Sequence, residues 1–423
     1  MKEQTSGSRN PWLWIPTLYF VEGLPYFIVT SISVVMFKEM GMENGPLALL
    51  TSLISLPWVV KPLWGPFVDI FKSKRWWIVA MQLIMFATIG LTAASVRLST
   101  FSVTLILFII AAFASATHDI AADGYYMIAL SKKHQSAFVG IRSTFYRIAS
   151  VFGQGVLVLQ AGWLERRLGD IPAAWSATMI IASSIIGLFT LYHCFALPRP
   201  SEDKSAGEVR SAGDVMREFG GAFASFFKKD GVWLAIAFLL LYRLPEAFSV
   251  KMLFPFFHDS AAEGGLGAGI DVYGVVYGTF GVVALLAGGI VGGLAAARWG
   301  LRKCMWPMAL SLALPCSVYL YMSVAQPESI WVIGSCVVLD QFGYGFGFSA
   351  YMLYMMHFSQ GPLKTSHYAI CTAFMALSMM LPGLVAGYLQ ETLGYIGFFS
   401  LVMICCIATF FVTFFVQRRL PSE

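Results

Sequence analysis

Asp119 and Asp123 stand one helical turn apart in an otherwise apolar run and share a helix face with Ser115. Carboxylates that close in a poorly solvated place cannot both ionise cheaply, so one keeps a proton unless a cation stands near. Lys61, Arg142 and Arg147, also within or at the ends of apolar runs, are the candidate cations. The chemistry this permits is reversible: an acid that is neutral in one state of the molecule and ion-paired in another. Asp119 is read as such a proton-carrying group, with a lasting ion pair to Arg147 as the competing reading. Asp123, nearer the end of its run, is expected to latch onto the basic turn Lys72–Arg75. Glu22, Glu246 and Asp340 are further acids in apolar runs and further proton-carrying candidates. Glu22 has no cation in its own run, so it either carries a proton or pairs with Arg147 or Arg243. Arg243 and Glu246 lie three residues apart beside Pro245, as a binding and coupling pair or as one that neutralises itself.

Ser143, Arg147, Ser150 and Gln154 recur at helical spacing and make a polar stripe. A guanidinium held in such a stripe suits the clamping of a carboxylate or phosphate. Arg147 is therefore the first candidate for anion binding, followed by Arg142, Lys61 and Arg243. Tyr146, Tyr242 and Tyr344 offer aromatic faces on the same charged runs. Asp340, Tyr344, Gly347, Tyr351 and Tyr354 form a second stripe, in which Gly343 and Gly345 allow close backbone approach. Lys251 is expected to snorkel outward along its run. The six histidines and seven cysteines show no metal-ligand or disulfide spacing, and neither a metal nor a cofactor is expected. A Gly-x4-Gly-Lys-Ser/Thr phosphate loop is missing, so a proton gradient is the expected energy source rather than ATP.

The elements that must position these residues are membrane spans. The 423 residues are 58% hydrophobic and 12% charged, with a mean hydropathy of +0.72, which excludes an ordinary soluble enzyme, a disordered chain and a nucleic-acid binder. A bilayer core of about 30 Å needs roughly 20 apolar residues per helix. Twelve runs of that kind are read near 12–37, 46–66, 76–96, 101–124, 136–161, 173–196, 232–257, 272–296, 304–325, 329–356, 365–389 and 395–416. The fold class is thus an all-α membrane protein of twelve helices in two six-helix halves, 1–196 and 232–423. A linker at 197–231 joins them, with an amphipathic helix begun by Asp214. With the N-terminus inside, cytoplasmic segments hold nineteen Lys/Arg and outer loops four, so both termini are expected to be cytoplasmic. The first run is too long for a signal-peptide core, and no segment is expected to be removed.

The halves echo one another. Pro25 and Pro245 mark the first span of each half at the same depth. Gly65, Asp69, Lys72, Lys74 and Arg75 after span two have a partial echo in Gly293, Gly300, Arg302 and Lys303 after span eight. Gly65 and Gly293 are read as close-approach points, and Gly65, Asp69, Lys74, Arg75 and Asp123 as a gate. With its two same-orientation halves, the chain resembles the major facilitator superfamily through this glycine–aspartate–basic segment. The stretches Leu56–Pro66, Thr117–Gly124 and Tyr146-Arg147 narrow the likeness to the AmpG-like muropeptide permeases and the related acetyl-coenzyme A transporters. His118 stands where that family suggests an amide.

This resemblance implies a transporter, not an enzyme: a multi-pass monomer in a bacterial cytoplasmic (inner) membrane that works by alternating access. Its implied action is proton-coupled import of peptidoglycan fragments. The expected partners are a small anionic solute and the lipid bilayer, with no nucleic acid. Another anionic solute, such as an acyl-coenzyme A, an iron–siderophore or an oligopeptide, is the alternative within transport. A membrane-embedded transferase is the alternative from another class, and His118-Asp119 is the only fragment of a site for it.

Overall fold

The computed structural model describes residues 10–98, 100–201, 203, 212–361 and 363–421, without the side chains of 69, 70, 132, 133, 136, 137, 139, 212, 215, 219 and 365. The described residues form helices joined by turns and short irregular segments, with no strand. In chain order the principal helices are α1 (Pro11–Glu39), α2 (Asn44–Val68), α3 (Lys74–Arg97), α4 (Phe101–Ala129), α5 (Lys132–Val151) and α6 (Ile171–Ala196). They continue with α7 (Ala212–Phe227), α8 (Val232–His258), α9 (Ile270–Trp299), α10 (Leu301–Ala325), α11 (Ile330–Phe358) and α12 (Lys364–Arg419).

Among the described residues, ten helices are long and apolar enough to cross a membrane. The α5 region, which carries Arg142 and Arg147, is not among them. Within α12, Gly394 leaves helical geometry at φ 66° and ψ 174°. An unbroken helix of 56 residues would run about 84 Å, far beyond one bilayer, so Gly394 divides α12 into two membrane-length pieces. Large apolar side chains face outward, as Trp331 at 83% and Trp233 at 74% exposure illustrate, while Glu22, Arg243, Glu246 and Asp340 are buried. That inversion of the soluble pattern is the signature of a chain solvated by lipid. The protein is a multi-pass membrane protein.

By packing, the chain forms two units. One comprises Met1–Ile32 and Val60–Phe219, the other Ser33–Val59 and Gly220–Glu423. In the first, α3 packs along α4 and α6, and α1 along α5. Trp14, Tyr19, Ile78, Ala121 and Tyr125 anchor its apolar core. In the second, α9 packs along α11, α8 along α12, and the Asn44–Leu53 part of α2 along α12. Phe226 of the amphipathic α7 is fully buried there against Phe358 and Phe374, so the end of the linker helix is part of that core.

Proline marks the first helix of each sequence half, as expected. In α1, Pro25 sits within Ile15–Phe27, and a π-turn, Ile28–Ile32, follows it. In α8 the helix breaks at Tyr242-Arg243, just before Pro245 restarts it. Each proline lacks the N–H that the helical ladder needs, and the freed carbonyls reshape the turn.

Candidate functional site

Five charged side chains of the first unit converge. Lys61 of α2 forms an ion pair with Asp119 of α4. Arg142 of α5 lies 2.6 Å from Asp123 Oδ1 and rests over the rings of Tyr19 and Tyr126 at 4.6 and 5.6 Å. Glu22 of α1 completes the group: ligand oxygens of Glu22, Asp119 and Asp123 all lie within 4.8 Å of one another. Glu22 is 6% exposed, and its Oε2 has no hydrogen-bond partner among the described residues. Three carboxylates against two cations leave one negative charge over.

Beside this cluster, Gln154 Nε2, in the π-turn Phe152–Leu157 that continues α5, donates to Ser150 Oγ at 2.9 Å, so two members of the stripe bond as their spacing suggests. Arg147 is half-buried on the same stripe and forms no ion pair among the described residues. Tyr146 packs on Phe27 and Tyr26, with its backbone and ring against Gly23.

A second cluster is sealed within the other unit. Arg243 Nη2 donates to Glu246 at 3.1 Å and to Tyr344 Oη at 2.5 Å, and its guanidinium lies over the rings of Tyr344, Phe348 and Tyr351 at 5.3, 4.7 and 5.6 Å. Asp340 accepts from Tyr319 Oη at 2.7 Å and from Gln341 Nε2 at 3.0 Å. Tyr242 is fully buried and donates to the Gly347 carbonyl at 3.1 Å. The acids and phenols of this cluster are held by these donors and acceptors, while Arg243 Nε is buried without a hydrogen-bond partner among the described residues.

The family model for the Major Facilitator Superfamily matches residues 17–366. This chain belongs to the Major Facilitator Superfamily. It is a transporter of small molecules, not an enzyme. The anhydromuropeptide permease of Escherichia coli (strain K12) is 23% identical over 393 residues, covering 90% of this chain and 74% of that protein. A Rickettsia felis relative named as an AmpG transporter is 22% identical over 414 residues and 95% of each chain. Among solved structures, the D-xylose–proton symporter superposes with a TM-score of 0.71 at 12% identity, covering 96% of this chain and 97% of that one. The nucleoside transporter NupG superposes with a TM-score of 0.69 at 14% identity, covering 98% and 100%. At such identities these two structures speak for the superfamily fold alone.

Several expectations about individual residues in this transporter change. Among the described residues Asp123 pairs with Arg142 and stands beside the other two acids. Lys61, not Arg147, is the partner of Asp119, and Arg147 is not the partner of Glu22. Gly65 and Gly293 are not close-approach points, since a Cβ on either would meet nothing within 4 Å. The tight crossing lies further along, where Gly288 and Gly345 bring α9 and α11 backbone to backbone. The side chain of Asp69 lies outside the described residues. Lys74 is buried against Gly124, and Arg75 donates to the Cys194 carbonyl. Asp203 of the linker accepts from the backbone N–H of both Lys74 and Arg75, at 2.7 and 3.1 Å, and so supplies the anion that the N-terminus of α3 favours.

Two polar networks had no readable signal. Thr17, His193, Gln82 and His118 form a buried chain with successive distances of 2.9, 3.0 and 2.9 Å, drawn from four helices. At one end of the second unit, Lys38 Nζ reaches Asp259 and Asn44, both at 2.7 Å. There Asn44 donates to Gln390 at 2.7 Å, Tyr395 donates to Asp259 at 2.6 Å, the Gly45 N–H reaches Glu391 at 2.6 Å, and His258 lies 3.1 Å from Glu39. Burial opposes charge on Asp259, but hydrogen bonds from Lys38, Tyr395 and Asn44 outweigh it and hold the carboxyl below its usual range. Both networks join residues far apart in the chain, brought together from several helices, which is why residue spacing was silent.

Proposed function

We propose that this protein is a proton-coupled importer of peptidoglycan fragments of the muropeptide class. It is a monomer of twelve membrane helices with both termini cytoplasmic, set in a bacterial inner membrane. The observation that carries the coupling is the Glu22–Lys61–Asp119–Asp123–Arg142 cluster, whose one uncompensated negative charge asks for one proton. Glu22 holds that proton, and Asp119 exchanges between Lys61 and the Glu22 carboxyl as the proton leaves. Glu246 and Asp340 are the counterpart acids of the other unit, with structural rather than coupling roles because neighbouring donors already hold them.

The likeness to the anhydromuropeptide permease over 90% of the chain supports the solute class. Arg147 supports its anionic character: it is a partly accessible guanidinium with no ion-pair partner among the described residues, on a stripe that Ser150 and Gln154 order. The positive-inside distribution of Lys and Arg supports the orientation.

Uptake of labelled anhydromuropeptide into vesicles, with and without an inward proton gradient, tests this reading. Accumulation above equilibrium only with the gradient is expected, together with its loss in Arg147→Ala at unchanged folding. Uptake indifferent to the gradient removes the coupling. No uptake of this solute, beside gradient-driven uptake of another anion, removes the solute class.

A further inference from the structure

The charged cluster of the first unit holds three acids and two cations, so the place of each cation decides which acid is left to take a proton. Lys61 is on Asp119. The place of Arg142 is not set by its ion pair alone. It meets Asp123 through one nitrogen and one oxygen at 2.6 Å, and Asp123 Oδ1 makes no hydrogen bond among the described residues, so the pair is close but not aligned. Glu22, buried and with no cation in contact among the described residues, offers an oxygen within 4.8 Å of Asp123. A short pivot of the guanidinium would exchange one acid for the other.

What opposes that pivot is aromatic. Tyr19 of α1 and Tyr126 of α4 pack edge to face, with ring centroids 6.0 Å apart and planes at 82°, and so make a corner. The Arg142 guanidinium lies over both rings, 4.6 Å from the centroid of Tyr19 and 5.6 Å from that of Tyr126. Both rings are themselves anchored. Tyr19 is fully buried in the core of this unit. The Tyr126 hydroxyl donates to the Gln135 carbonyl in the first turn of α5, and Gln135 Nε2 donates back to the carbonyls of Met127 and Leu130 at 2.9 and 2.8 Å. The Tyr19 hydroxyl makes no hydrogen bond among the described residues, so the ring is what this position contributes. A cation withdrawn from water over two ring faces is attracted by both quadrupoles and loses both if it swings away.

We propose that Tyr19 and Tyr126 are positioning residues whose rings hold Arg142 on Asp123, leaving Glu22 as the acid without a counterion that takes the proton. This rests on the reading of Glu22 as the proton-holding acid, and it adds what selects Glu22 among the three.

The test uses purified full-length protein in detergent, without solute, and infrared difference spectroscopy at neutral pH. Glu22→Gln identifies the protonated-carboxyl band of Glu22, and thermal unfolding checks that each variant is folded. The ratio of protonated to ionised Glu22 is expected to fall about tenfold in Tyr19→Leu, the scale of one desolvated cation–π contact. Tyr19→Phe, which keeps the ring, is expected to retain most of the band. Tyr126→Leu is expected to lower the ratio as well, and it carries the test should Tyr19→Leu not fold. A band of wild-type size in the folded leucine variants overturns the positioning role and leaves the reading of Glu22 intact, whereas a wild type with no Glu22-dependent band overturns both. Whether uptake responds to a proton gradient is a separate measurement, so a failure of coupling cannot imitate either result.

Discussion

Among the described residues Glu22 is the acid of its cluster with no cation in contact, and that asymmetry separates it from Asp119 and Asp123, which contact Lys61 and Arg142. A group that must gain and lose a proton needs such freedom; a group clamped by an ammonium does not move its charge without breaking the clamp. Glu22→Gln, which keeps shape and mimics the protonated state, is expected to abolish gradient-driven accumulation while leaving solute exchange across vesicles intact. Loss of exchange and accumulation together returns Glu22 to a structural role. Lys61→Ala is expected to destabilise the protein by up to about 3 kcal/mol, since it strands Asp119. The double change Lys61→Ala with Asp119→Ala should recover much of that, read by thermal unfolding in detergent. If the double variant is as unstable as the single one, the pair is not the unit.

At the scale of elements, glycine placement decides which helices meet. A Cβ on Gly288 would run into the backbone of Phe342 and Phe346, and one on Gly292 would lie 2.7 Å from the Phe346 carbonyl, so α9 and α11 are in contact along their lengths. Gly288→Ala is expected to cost about 1–3 kcal/mol, because backbone cannot yield as a flexible side chain does. Gly65→Ala is expected to unfold like wild type, since no neighbour lies within 4 Å of its would-be Cβ. Thermal unfolding of the two variants side by side checks both. A Gly65→Ala penalty as large as that of Gly288→Ala would contradict the crossing described here.

At the scale of the molecule, the grouping of Ser33–Val59 with the second unit is held by a polar cluster centred on Asp259. A carboxyl held below its unfolded pKa contributes its stabilisation fully above that unfolded value, near 4, and loses it as pH falls through the folded one. The protection of the 33–59 segment, measured by hydrogen exchange relative to the intrinsic rate at each pH, is therefore expected to be high at neutral pH and to fall below about pH 4. In Asp259→Asn it should be lower at neutral pH and less sensitive to acid. An unchanged pH profile in Asp259→Asn would assign the acid response elsewhere.

The sequence by itself determined that this chain lives in a membrane, where its helices start and bend, and which charges sit at depth, because hydropathy and proline act through neighbours in the chain. The pairing of Pro25 with Pro245, the α5 stripe and the membrane-depth acids were all legible in that way. Only the tertiary structure decided who meets whom. Asp123 paired with Arg142, the stem of Lys251 packed on Gly383, and Gln82 joined two histidines from other helices. Those outcomes depend on the rotation of one helix about its axis relative to the next, which periodicity within a single helix does not encode. In a chain apolar on nearly every face, the pattern that would reveal that rotation is at its weakest.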